Sequence, residues 1–344
     1  MSHTPPAPEL TCAVRGPYFD ELSVGQVFDD SPAVTLTEGR QAAHHAIVGN
    51  RLRLVLDDTL ATEVTGRGGL ASPAFVWDTV IGQSTSVTQH VKANLFYRGL
   101  CFRRLPVLGD TLRTVTTVDG LKRNSPRPGR PGTGLAALHI VTTDQDDRPV
   151  LDFWRCAMLP LSADDAPGDA RNDLSGLGRA PEPAELGAAV AGWDLARFRE
   201  RVPGPHFADL RVGQRWQVEG ADVVSSAPEL ARLTGNIAAV HHDAGAASGR
   251  RLVYGGHTIG LALHQLARAL PAIVTVAGWQ GCDHVGPVHE DDTLLSTVVL
   301  DDLDPLPSGG GLAHVRVLVD ARPSASHDDV ATRVLDWRLS VVLA

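Results

Sequence analysis

The chain has 344 residues, 43% apolar and 21% charged, which suits a soluble globular protein with room for two domains. A net charge of −9 disfavours nucleic acid and anionic membrane as main partners, though local arginines could still hold an anionic small molecule. The four scattered cysteines have no C-x-x-C spacing, and neither a signal peptide nor a membrane-spanning apolar run is visible, so reduced thiols in a cytoplasm are expected.

In chain order, residues 1–15 are Pro-rich and expected to be loose. Residues 16–161 read as a first domain. Within it, Thr111–Val118 and Leu135–Val141 have the β-branched and apolar content of strands. The stretch Leu121–Gly132 between them, with three prolines and two glycines, reads as a loop. Residues 162–195, rich in Ala, Asp, Gly, Pro and Glu, read as a linker. Residues 196–344 read as a second domain. There, Ile259, Leu263, Leu266 and Leu270 keep helical spacing from about Gly256 until Pro271 stops the helix, and strands follow at Thr293–Leu300 and His314–Val319. Helices followed by strands with short connections predict an α+β fold whose antiparallel sheets wrap a helix.

The two domains repeat each other. Gly16-Pro17-Tyr18-Phe19 with Val24-Gly25-Gln26 returns as Gly204-Pro205-His206-Phe207 with Val212-Gly213-Gln214. Gly49-Asn50 returns as Gly235-Asn236, Asp110-Thr111-Leu112 as Asp292-Thr293-Leu294, and Val150-Leu151-Asp152 as Val334-Leu335-Asp336. The anchors keep their order at a nearly constant separation. That separation is far longer than a solenoid repeat, so it marks a duplicated domain. The copies differ where chemistry would sit: His241 in the second corresponds to Val55 in the first, whereas Asp243 corresponds to Asp57.

Thr234-Gly235-Asn236-Ile237-Ala238-Ala239-Val240-His241, followed by Tyr254-Gly255-Gly256-His257, resembles the signature of the MaoC-like, (R)-specific enoyl-CoA hydratase family of hot-dog folds. Ala93-Asn94-Leu95-Phe96-Tyr97, Gly109-Asp110-Thr111-Leu112 and Val334-Leu335-Asp336 extend the resemblance to its double hot-dog mesaconyl-CoA hydratase (β-methylmalyl-CoA dehydratase) branch. It implies a tandem hot-dog whose sheets join edge to edge. It also implies reversible hydration of an α,β-unsaturated acyl thioester, carried by CoA or by a carrier protein, with no cofactor. His241 falls on the family's catalytic histidine and Gly256 on the helix-start glycine. Asn236 replaces the usual aspartate, and Ala238-Ala239 the usual Asn-Pro.

The chemistry is coherent on its own terms. Adding water to a double bond conjugated to a thioester requires a base for the water proton and donors for the enolate oxygen. Histidine titrates near neutrality, and a glycine-led helix N-terminus offers free N–H groups. His241, Asn236 and Gly256 are therefore the catalytic candidates; Tyr254, Gly255, His257, Asp243 and Arg51 are the candidates for binding substrate. Alternatives stay open at several positions. Asn236 could orient water or cap a turn, and Asp243 could orient His241 or serve structure. His257 could meet substrate or pack in the core. Arg51, Arg53, Arg103 and Arg104 could grip CoA phosphates or lie on the surface. Asp283, His284, His289 and Glu290 meet no metal-ligand spacing. Two other functions compete: a cyclase or thioesterase acting on a polyketide-like thioester, and a non-catalytic acyl-CoA-binding protein. A homo-oligomer is compatible with all of them.

Overall fold

A computed structural model describes residues 12–163, 166, 168–247, 249–324 and 330–344. Most of the N-terminal segment expected to be loose lies outside this range. The first half runs β1 (Val27–Phe28), β2 (Val34–Thr35), α1 (Glu38–Val48), α2 (Arg53–Leu56), α3 (Asp58–Thr65), α4 (Pro73–Gln83), β3 (Ala93–Phe102), β4 (Thr111–Arg123), β5 (Thr133–Thr143) and β6 (Pro149–Pro160). Between the halves stand α5 (Pro183–Ala188) and α6 (Leu195–Arg201). The second half runs β7 (Arg215–Gln217), β8 (Asp222–Val223), α7 (Ala227–Leu233), α8 (Gly255–Ala269), β9 (Ile273–His284), β10 (Thr293–Pro305), β11 (Gly311–Arg322) and β12 (Thr332–Leu343).

The expected α+β double hot-dog is present, and its two sheets join edge to edge as expected. The strands form a single antiparallel sheet in the order β1-β4-β5-β6-β3-β9-β12-β11-β10-β7. The seam is β3 on β9, with Tyr97 opposite Cys282 and Cys101 opposite Gly278. Two strand edges that would otherwise be unpaired satisfy one another there. The sheet curls around α4 and α8. Every residue of α4 is buried, including the polar Asp78, Thr79 and Gln83 among its largely apolar side chains, whereas α8 keeps a partly exposed stripe at His264 and Arg268. The core crosses the seam: Trp77 of α4 meets Trp279 of β9 edge-on at 4.9 Å between centroids, and Trp279 meets Trp337 of β12 at 5.4 Å. Such edge-to-face pairs add to the energy of their burial.

The duplication shows in the backbone. Gly49 ends α1 at φ 73°, and Gly235 follows α7 at φ 72°, a conformation that favours glycine. Three features depart from the reading of the sequence. Strand β4 runs on through Leu121, Lys122 and Arg123, which pair with Ala136, Leu135 and Gly134, so the loop before Thr133 is shorter than expected. The first half inserts α2 and α3 where the second has a 3-10 turn, Ala239–His241, and a loop. The described residues of the 162–195 stretch pack against the body: Leu174, Leu186 and Leu195 are buried, and Asn172 bonds the backbone of Leu121.

Candidate active site

His241 closes the 3-10 turn Ala239–His241, and its side chain is 9% exposed. Its Nδ1 is 2.9 Å from the carbonyl oxygen of Leu252. A carbonyl only accepts, so Nδ1 carries the proton and Nε2 keeps its lone pair. Nε2 is therefore the basic atom. Burial pushes the imidazole down to about 4, although the bond to Leu252 favours the charged form. At neutral pH the ring is an uncharged base.

This ring lines a cavity of about 330 Å³ with Gly255, Thr258, His284, Lys92, Asn94 and a wall of valines that includes Val91, Val253 and Val288. Helix α8 begins at this wall, with Tyr254 as its N-cap. Among the described residues, no backbone or side-chain acceptor takes the N–H of Gly255 or Gly256, the first two of the helix. A helix tip with free donors thus stands beside a neutral imidazole. A β-carbon on Gly255 would come within 2.6 Å of His284 Nε2, so a side chain there would have to displace that ring. A second cavity of about 810 Å³ shares Lys92, Val240 and Leu252 with the first and extends along the β4–β5 loop past Arg127 and Arg130.

The structure does not bring all the candidates together. Gly255 lines the cavity, whereas a β-carbon at Gly256 would collide with Asp78 Oδ1 and the Tyr254 ring, so the α-carbon of Gly256 faces the interior. Tyr254 lies beside His241, with ring centroids 5.7 Å apart, but its hydroxyl points inward and donates to Asp78 Oδ1 at 3.1 Å. His257 is fully buried, and neither ring nitrogen has a partner among the described residues. Asn236 is outside the cavity wall. Its Oδ1 accepts the N–H of Ala238, its carbonyl accepts from His242 Nε2, and its backbone packs on Gly82 of α4. Of the two roles open to Asn236, the Asx turn formed by Oδ1 matches the turn role. Asp243 is exposed and accepts from Gly245 N–H, while Asp57, its counterpart, caps α3 through Leu60 N–H. Arg51 and Arg53 border a separate cavity with Arg201 and Pro271. Arg103 pairs with Asp152 and Glu185, and Arg104 with Asp110 and Asp144, so these two are structural.

Lys92, Asn94, Thr258 and His284 are cavity residues that the sequence reading did not assign. For His284 a signal was present. Its partner across the ladder is Leu335, and Phe102 faces Leu151 in the first half, the two leucines being the middle residues of the repeated Val-Leu-Asp motif. His284 therefore replaces a phenylalanine. Likewise Gly255 opens α8 where Pro73, which has no N–H to give, opens α4. His241 for Val55, Gly255 for Pro73 and His284 for Phe102 all fall on one cavity wall.

No family model matches the chain. It is 29% identical over 322 residues to mesaconyl-CoA hydratase of Cereibacter sphaeroides, a match spanning 88% of this chain and 89% of that protein. It is 27% identical over 298 residues to beta-methylmalyl-CoA dehydratase of Chloroflexus aurantiacus, spanning 81% of this chain and 80% of that one. A solved Mycobacterium tuberculosis protein described as a double hot-dog fold is 55% identical, superposes with a TM-score of 0.89, and matches over 96% of this chain and 99% of its own. A MaoC domain protein of Chloroflexus aurantiacus, a candidate dehydratase, shares the fold at a TM-score of 0.81 and 24% identity, over 95% of this chain and 97% of its own.

Proposed function

Since the chain belongs to the MaoC-like double hot-dog family, we propose that it is a hydro-lyase that adds water reversibly to an α,β-unsaturated acyl-CoA, with its site in the second half alone. One observation carries the reading: a single cavity joins a neutral histidine, whose Nε2 has no partner among the described residues, to a helix tip with free N–H groups, whereas Val55 and Pro73 stand in the places of His241 and Gly255 in the first half. The thioester oxygen would sit at the N–H groups of Gly255 and Gly256. His241 Nε2 would take a proton from water as its oxygen bonds to C3, leaving an enolate held at the helix tip. The imidazolium would then return that proton to C2, so one water is consumed and the histidine is regenerated. Asn236 has no part in this course, because it does not line the cavity and its amide oxygen serves the turn.

The finer reading is a CoA thioester of a branched dicarboxylic acid, of the mesaconyl-CoA/β-methylmalyl-CoA type named in the relatives. Lys92 supports it. This residue, one of only two lysines in the chain, stands on the wall common to both cavities and has no ion-pair partner among the described residues. It could meet an acyl carboxylate, while Arg127 and Arg130 beside the larger cavity could meet the phosphates of CoA. The test is an assay of the purified chain on mesaconyl-CoA, crotonyl-CoA and the corresponding 3-hydroxyacyl-CoA thioesters, following absorbance of the conjugated thioester. Loss of activity in His241→Ala supports the reading; full activity in that variant overturns it. If CoA binds but no thioester reacts, the chain is a non-catalytic binding protein. If free thiol appears instead of hydrated thioester, it is a cyclase or thioesterase.

A further inference from the structure

The first half lacks the histidine, yet it sends a buried carboxylate to the edge of the site. Asp78 lies in the middle of α4 and is fully buried. Its Oδ2 is 2.8 Å from His44 Nε2, on α1 of the same half, and its Oδ1 accepts from the Tyr254 hydroxyl of the other half at 3.1 Å. The same Oδ1 crowds the α-carbon of Gly256. One carboxylate therefore touches both the N-cap and the second residue of α8. Burial pushes the Asp78 carboxyl up from the usual carboxylate range, and the bonds from His44 and Tyr254 oppose that shift.

Neither polar group has a counterpart in the second half. Position 230, which answers to His44 in α7, is Leu230. Position 260, which answers to Asp78 in α8, is Gly260, held against the Val48 side chain. A buried carboxylate without partners would be costly, so its retention requires the bonds it makes. The Tyr254 ring, held at its far end by Asp78, packs against the His241 ring at a 60° tilt, 5.7 Å between centroids.

We propose that Asp78 is a positioning residue for the His241 site, anchoring the Tyr254 hydroxyl and, through that ring and the first turn of α8, fixing the imidazole against the helix-tip donors. This rests on the reading of His241 as the acid/base. The half without the histidine thereby takes part in the reaction without touching the substrate. Misplacing a reacting group by a fraction of an ångström slows catalysis while leaving substrate affinity largely intact. The titratable groups around His241 are Tyr254 at the N-cap of α8, His284 from β9, Arg155 from β6, His242 from its own turn, Lys92 across the cavity, and Arg250, Arg251, Glu290 and Asp291 along a second cavity that His241 also lines.

The test compares Asp78→Ala, Asp78→Asn and Tyr254→Phe with the wild-type chain. It reads kcat and KM for the best enoyl-CoA, and the ring-nitrogen chemical shifts of His241 against pH. Asp78→Ala and Tyr254→Phe should lower kcat roughly 10- to 100-fold with KM changed less than about 3-fold. Both should raise the pH at which His241 titrates, since a loosened ring is better hydrated. Combining the two substitutions should cost little more than one of them. Asp78→Asn, whose amide oxygen can still accept from Tyr254, should recover most of kcat. The proposal is overturned if Tyr254→Phe, which removes only a hydroxyl and should fold, leaves both kcat and the His241 titration unchanged. It is also overturned if Asp78→Asn is as slow as Asp78→Ala. Should the wild type hydrate no thioester, the hydration reading fails, and an unmoved His241 titration in Tyr254→Phe still sinks the positioning role separately.

Discussion

His241 gives its Nδ1 proton to the carbonyl oxygen of Leu252, 2.9 Å away, and that bond decides which nitrogen can act as base. Replacing His241 with alanine removes the proposed base from the cavity wall and leaves His284, the other imidazole on that wall, in place. A kcat loss of about 10² to 10⁴ is expected, with little change in melting temperature. Steady-state kinetics alongside thermal unfolding check it; an equal loss of stability would point to a structural role instead.

The same ring sets the acid limb of the pH profile. Its neutral form is the base, and burial holds it near 4. Hydration should therefore persist well below the ordinary histidine range and fall only as pH approaches about 4. A profile that already falls near 6.5 would mean that the ring is solvated, or that another group is the base.

Stability should follow a related curve. Burial pushes His45, His241, His257 and His284 each down to about 4 in the folded chain, against an ordinary value of 6.5. Between those values the unfolded chain binds more protons than the folded one, so acid favours unfolding. The melting temperature should be level above about pH 6.5 and decline down to about pH 4; below that the histidines add no further slope, and the carboxylates held low by their partners, such as Glu21 and Glu185, take over the decline. His257→Gln should flatten part of the decline.

The two glycines at the tip of α8 should separate activity from folding. A β-carbon at Gly255 meets the His284 ring, a movable side chain, on the cavity wall. Gly255→Ala should narrow the cavity and lower kcat/KM with modest loss of stability. A β-carbon at Gly256 meets Asp78 and Tyr254 in the interior, where nothing yields easily, and Gly256→Ala should cost about 1–3 kcal/mol of stability. Denaturant unfolding of both variants checks the ordering.

Arg127→Ala with Arg130→Ala should raise KM for every CoA thioester several-fold and leave kcat unchanged, the signature of lost uniform binding. Lys92→Ala should instead discriminate, weakening a carboxylate-bearing acyl group more than crotonyl. Added salt should reproduce the arginine effect in the wild type.

Much of this is legible in the sequence, and the reasons differ by element. The repeated anchors place both hot-dogs and the blank at Val55, because a duplicated chain carries its own control. The short helices α2 and α3 are not legible: their few residues give no periodicity, and Asp57 reveals its capping role only once Leu60 N–H is seen beside it. Asn236 misleads because motif position says nothing of where a side chain turns after Gly235, whose positive φ sends the chain onto Gly82. His284 is visible as the counterpart of Phe102 but lies too far along the chain from the motif to be joined to it. Asp78 escapes sequence reasoning altogether, since its partners come from other helices that only the fold brings to it.

The seam where Tyr97 of one half faces Cys282 of the other makes the pair inseparable, and that has an evolutionary meaning. In an assembly of two identical subunits, every change is suffered twice, so neither copy can specialise. Tying both lobes into one polypeptide lifts that constraint, and a histidine can become a valine on one side while the other keeps its trade.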